Sequence, residues 1–175
     1  MPILIALAGI IFTAYIWANR ARNAKHIASD IADMAGDVKA AARRFGFSRK
    51  MNAHPVESID EPNIAAAAIA DAYMSLVDMP TREQRATMQN TLADVLQVDA
   101  AAAEELLVLG RWMVNSCGTP HAALSRLAKK LHRLEGAQAL APMEQILAGI
   151  TPDADKISVH QEEALHELRT ALRVR

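Results

Sequence analysis

Two patterns of apolar and polar positions divide the chain. From Pro2 to Ala18 no charged residue interrupts an apolar run, and Asn19, Arg20 and Arg22 end it abruptly. From Ile27 onward apolar residues return at steps of three and four, the spacing that lines one face of an α-helix. No segment alternates convincingly with period two, so the predicted fold class is all-α.

The first run predicts a transmembrane anchor over residues 1–19. A spanning helix takes about 20 mostly apolar residues, with about 17 the lower bound, and Pro2–Ala18 sits at that bound. Tyr15 and Trp17, near its far end, suit an interfacial aromatic belt. A cleavable signal peptide would carry its positive charges ahead of the run. Here only Met1 and Pro2 precede it, whereas Arg20, Arg22, Lys25, Arg43, Arg44, Arg49 and Lys50 follow. A buried core helix is the other alternative, but a run apolar all round, including Ile10, Ile11 and Phe12, suits lipid better. Basic residues gather on the cytoplasmic side, so the expected topology has the N-terminus outside and the bulk in the cytoplasm.

Residues 20–46 read as an amphipathic juxtamembrane helix, with Ile27, Ile31, Met34, Val38, Ala42 and Phe45 on one stripe. The stripe can pack on its own domain, pair with another helix or lie on the bilayer, the last being disfavoured by the mixture of acids and bases on the polar side. Residues 47–60 read as a linker, because Pro55 and mixed polarity oppose a long helix there. His54-Pro55 resembles the start of a J-domain His-Pro-Asp tripeptide, but Val56 follows.

Residues 61–175 read as a compact bundle of about six helices. The expected inner positions are Ala65, Ile69, Tyr73 and Leu76; then Met88, Leu92, Val95 and Leu96; then Leu106, Leu109, Met113 and Cys117. Leu124, Leu127, Leu131 and Leu134 follow, then Met143, Ile146, Leu147 and Ile150 on a helix from about Pro142, and finally Leu165, Leu168 and Leu172. Thr81 with Gln84 and Ser158 with Gln161 are capping boxes, Asp99 is an N-cap, and Thr119-Pro120 is an N-cap followed by proline at the first helical position. Each capping box follows a short acidic turn, which hints at an internal duplication.

Composition refines this only in part. The domain left after the anchor and its flank, about 120 residues, can bury a core of its own. A net charge of −1 gives no general attraction to nucleic acid, and no nucleic-acid partner is expected. The single Cys117 excludes an intramolecular disulfide and fits a reducing compartment.

Candidate chemistry is sparse. His26, His54, His121, His132, His160 and His166 show no zinc-like spacing with Cys117, and neither a phosphate loop nor a serine nucleophile elbow occurs. The chain therefore reads as non-enzymatic, with Cys117 a small buried hydrophobe and no organic cofactor. The acidic turns are the exception: Asp78 with Glu83, and Asp153 and Asp155 with Glu162, offer oxygens that suit a divalent cation such as Ca²⁺. Helix capping and the helix dipole favour the same residues without any metal. Arg126, Lys129, Lys130, His132 and Arg133 make one helix basic on its outer side, a solvated face or a dock for an acidic partner.

From Asn63 onward the order of features resembles the bacterial TerB-like family, named for tellurite resistance. The likeness rests on Leu76-Val77-Asp78-Met79-Pro80-Thr81-Arg82-Glu83 and on Asp155-Lys156-Ile157-Ser158 with Glu162. It covers about two thirds of the chain, and the glycine usual in such turns is Met79 in the first and Lys156 in the second. An N-terminal anchor ahead of such a domain is also similar to membrane co-chaperones of the DjlA type, without their J domain. The resemblance implies an all-helical module on the bacterial inner membrane, a role in envelope or metal stress, protein partners, and cation binding at the acidic turns. An alternative expectation is an accessory single-pass subunit of a larger integral membrane complex, with Ala6, Ala8 and Gly9 allowing close helix approach.

Overall fold

The structure, a computed structural model, describes residues 35–50, 52–77, 80–151 and 157–173. The chain divides into a unit Met1–Asp37, described only at 35–37, and a unit Val38–Arg175 that carries the fold. The expected anchor and most of the juxtamembrane stripe lie outside the described residues, as do Asp78, Asp153 and Asp155. Among the described residues no helix is long and apolar enough to cross a membrane.

The described residues are helical or irregular, in agreement with the all-α expectation. Helix α1 covers 35–44, followed by α2 (Pro62–Met74), α3 (Arg82–Leu96), α4 (Ala100–Ser116), α5 (Pro120–Glu135), α6 (Leu140–Ile150) and α7 (Val159–Arg173). Single 3₁₀ turns stand at Pro55–Ser58 and Gly136–Ala139. Helix α6 thus begins two residues before Pro142, continuing directly from the second of these turns.

Helix α2 is the hub. Every residue from Ile64 to Met74 is buried, so this helix has no solvent face. The alanines at 65–68 explain how: their small side chains let neighbours approach on all sides, with no polar stripe to keep wet. Helices α4 and α5 make its most extensive contacts, and α3 and α6 add smaller ones. Around this hub α3 packs on α4 and α6, and α7 packs on α5. Gly110 marks a close approach of helix to backbone, where α4 meets α2 at Ala67 and Ala68. A fully buried leucine or isoleucine contributes about 1.5–3 kcal/mol. Leu106, Leu109, Leu127, Leu131 and Ile146 all reach that state here.

The helix ends follow local chemistry. Thr81 Oγ1 accepts from Gln84 N while Gln84 Oε1 accepts from Thr81 N, and Ser158 and Gln161 repeat both bonds. The two boxes open helices of equal length, 15 residues each. Asp99 Oδ1 accepts from Ala102 N at 2.7 Å, and Thr119 Oγ1 accepts from Ala122 N at 3.2 Å. Helix α1 ends in a Schellman motif: Gly46, at φ +63, donates to Arg43 O, and Phe47 N donates to Ala42 O.

The end of the juxtamembrane stripe packs on the domain. Ala41 is buried, Val38 and Phe45 are half-buried against the core, and Arg44 forks to Asp99 at 3.0 Å and Glu105 at 3.3 Å. Residues 47–60, expected as a linker, are more than a spacer. Phe47 meets Trp112 edge-on at 5.9 Å, and Val56, Ser58 and Ile59 are buried. Lys50 N donates to the buried Ser58 hydroxyl. His54 accepts from Val56 N at Nδ1 and donates from Nε2 to Ser116 O, which ties the 3₁₀ turn to the end of α4.

Candidate functional site: an arginine-lined cleft at Asp71

Asp71 is the single charged residue in the buried stretch Ile64–Met74, and it is only 2 % exposed. A carboxylate in such a place demands a partner, because taking an isolated charge out of water is costly. Arg111, on α4, supplies one: its Nη2 lies 3.5 Å from Asp71 Oδ1. That pair is long. Arg133–Glu57 and Arg169–Glu144, both far more exposed, close to 2.7 Å. Burial accordingly pushes the Asp71 carboxyl above its ordinary range, while Arg111 and, more weakly, Arg85 pull it back.

Arg85 comes from the start of α3, where its Nε donates to Pro80 O at 3.1 Å. The two arginines and Asp71 line a cleft of about 190 Å³, completed by Ser75, Asn115 and the Thr119-Pro120 opening of α5. A water molecule occupies about 30 Å³ of liquid, so the cleft has room for several. An adjoining recess of about 320 Å³ along α3 and α4 shares Arg85 and Arg111 and adds Arg82, Glu104, Leu107 and Val108. The result is an arginine-rich recess with one buried acid, Asp71, at its wall.

None of these residues stands out by motif. The available signal was a lone aspartate inside an alanine-rich apolar run, which either breaks a buried face or marks a polar inclusion in it. Arg85 and Arg111 come from separate helices, and no spacing rule joins them to Asp71.

Of the residues expected from the sequence, Glu83 and Glu162 fall elsewhere. Glu83 and Glu162 occupy the first turns of α3 and α7, exposed and well placed for the helix dipole. Their proposed companions Asp78, Asp153 and Asp155 are outside the described residues, and among the described residues no cluster of three or more His, Cys, Asp or Glu could hold a metal. Cys117 is half-buried, not fully buried, and burial pushes its thiol up despite the nearby Arg126. His121, its sequence neighbour, instead approaches Glu167 at 3.7 Å.

The basic face of α5 is only partly solvated. Lys130, expected outside, is buried: its stem runs along the core and its Nζ donates to Glu57 O at 3.1 Å. Arg133 takes the Glu57 carboxylate, so the two bases of α5 clamp the 3₁₀ turn. Lys129, His132 and Arg133 then border an open groove of about 880 Å³ between α5 and α7. The chain matches no protein-family model, no curated protein and no solved structure.

Proposed function

We propose that this protein is a membrane-anchored, cytoplasm-facing helical interaction module of TerB-like kind, acting in envelope or metal stress without catalysis of its own. The observation that carries the reading is the uncharged run Pro2–Ala18 with its basic flank Arg20, Arg22 and Lys25, which reads as a single anchor with the positive side inward. The helical unit from Val38 onward gives such an anchor a compact body with open grooves on which protein partners can dock. Membrane fractionation followed by alkaline extraction, together with protease protection of a C-terminal tag, tests location and topology. The protein should stay in the extracted membranes with the tag shielded in intact spheroplasts; release into the supernatant would overturn the anchor.

A second reading, an accessory subunit of an integral membrane complex, is favoured by Ala6, Ala8 and Gly9, small residues that permit close helix contact. Purification of the tagged full-length chain in mild detergent separates the two. Recovery in fixed ratio with one membrane complex marks a subunit. Recovery alone or with varying soluble proteins marks an adaptor.

A further inference from the structure

Arg85 and Arg111 reach the same 190 Å³ cleft from two different helices, and Asp71 on the buried hub lines it with them. Among the described residues that line it, two guanidinium groups stand against one carboxylate, an excess of positive charge. Guanidinium forks match oxyanions in shape as well as in charge. Stability alone does not account for Asp71, since a buried ion pair repays its desolvation only when its geometry is good, and 3.5 Å falls short of the 2.7 Å of the Arg133–Glu57 and Arg169–Glu144 pairs.

The combination of two cationic donors with one buried acceptor is selective. A bare oxyanion satisfies the arginines but sets oxygen against the Asp71 carboxylate. An oxyanion that carries a proton satisfies all three, because its hydroxyl donates to Asp71 while its charged oxygens accept from Arg85 and Arg111. Hydrogen phosphate is such a group, whereas sulfate holds no proton near neutral pH. Ser75 and Asn115, which line the same cleft, add polar side chains suited to the remaining oxygens.

We propose that the cleft formed by Asp71, Arg85 and Arg111 is a binding site for the free hydrogen phosphate ion, which keeps one proton slightly above neutral pH, where a phosphomonoester has lost its own. This inference stands apart from the anchor and from the identity of any protein partner.

Isothermal titration of the full-length protein in detergent micelles, in chloride buffer slightly above neutral pH, tests it. Inorganic phosphate should bind about tenfold or more tightly than sulfate, the ratio that one hydrogen bond to a charged group supplies. Arg85→Gln should weaken phosphate by a similar factor while the thermal midpoint stays nearly unchanged. Asp71→Asn should raise sulfate toward the affinity of phosphate by removing the repelling charge. Glycerol 3-phosphate, a dianion without a proton at this pH, should bind as weakly as sulfate, and an affinity equal to that of inorganic phosphate would overturn the proposal. No heat from inorganic phosphate, equal affinity for phosphate and sulfate, or unchanged binding in Arg85→Gln would each overturn the proposal. Should Asp71→Asn fail to fold, the wild-type phosphate-to-sulfate ratio and Arg85→Gln still decide.

Discussion

The Cβ that Gly110 lacks would stand 3.0 Å from both the amide nitrogen and the Cα of Ala68, and 3.1 Å from the carbonyl carbon of Ala67. Backbone, not the end of a flexible side chain, fills that space, and both helices belong to the core. Helix propensity favours alanine over glycine by about 1 kcal/mol, so the two effects oppose each other. The clash should win: Gly110→Ala is expected to lose about 1–3 kcal/mol in urea denaturation. A variant as stable as the parent would mean that α2 and α4 are not held this close.

Gly149 on α6 sets a softer version of the same contest. A Cβ there would meet Thr91 Cγ2 on α3 at 2.7 Å. Gly149→Ala should cost about 1 kcal/mol on its own. Combining it with Thr91→Ala removes the obstructing methyl and hydroxyl, so the double variant should recover most of that loss. A double-mutant cycle by thermal melting measures the coupling, and additive effects would contradict the contact.

Asp71 makes stability depend on pH in an unusual direction for an aspartate. Its carboxyl is raised from the ordinary 3.8 by burial, so the folded state keeps the proton to higher pH than the unfolded chain. Below 3.8 both states are protonated and the buried group takes nothing from stability. As pH rises through the folded-state value, the buried charge becomes a burden and stability falls. Asp71→Asn, which cannot ionise, should therefore gain on the parent from about pH 4 upward and then hold a constant lead. Urea titrations across that range check it; a lead that shrinks with pH would show that Arg111 outweighs burial.

Gln97, at the C-terminus of α3, sits at φ +55 in the left-handed region. A side chain in that conformation costs about 1 kcal/mol or somewhat more relative to glycine. Gln97→Gly should stabilise the domain by about 0.5–1 kcal/mol in the same denaturation assay, and a loss would indicate that the glutamine side chain outweighs the strain.

What the sequence revealed follows the range of each interaction. Met143, Ile146, Leu147 and Ile150 were legible as one face, and all four are buried. Both capping boxes were legible because each closes within three residues. Leu76, Val95, Leu134 and Leu165, read as inward, are only half-buried, since periodicity finds the face of a helix but not where its neighbours end. Helix α2 was read as having one inner face, whereas alanines leave the opposite face free to be covered as well. The cleft was hidden for a further reason. Arg111 and Asp71 are 40 residues apart, and Arg44 reaches Asp99 across 55, so only the tertiary fold brings these charges together. Lys130 was misplaced on the same ground, because its partner carbonyl at Glu57 lies on a segment read as linker.

The all-round burial of α2 bears on how the chain is made. Pro62–Met74 is synthesised before α4 and α5, the helices that cover it. At about 5–20 residues per second, translation from Met74 to Glu135 takes several seconds. Through that interval a 13-residue apolar helix, too short to settle across a bilayer, has no partner of its own. Nascent chains and fragments ending before Glu135 therefore leave uncovered an apolar surface that the finished domain buries from Ile64 to Met74.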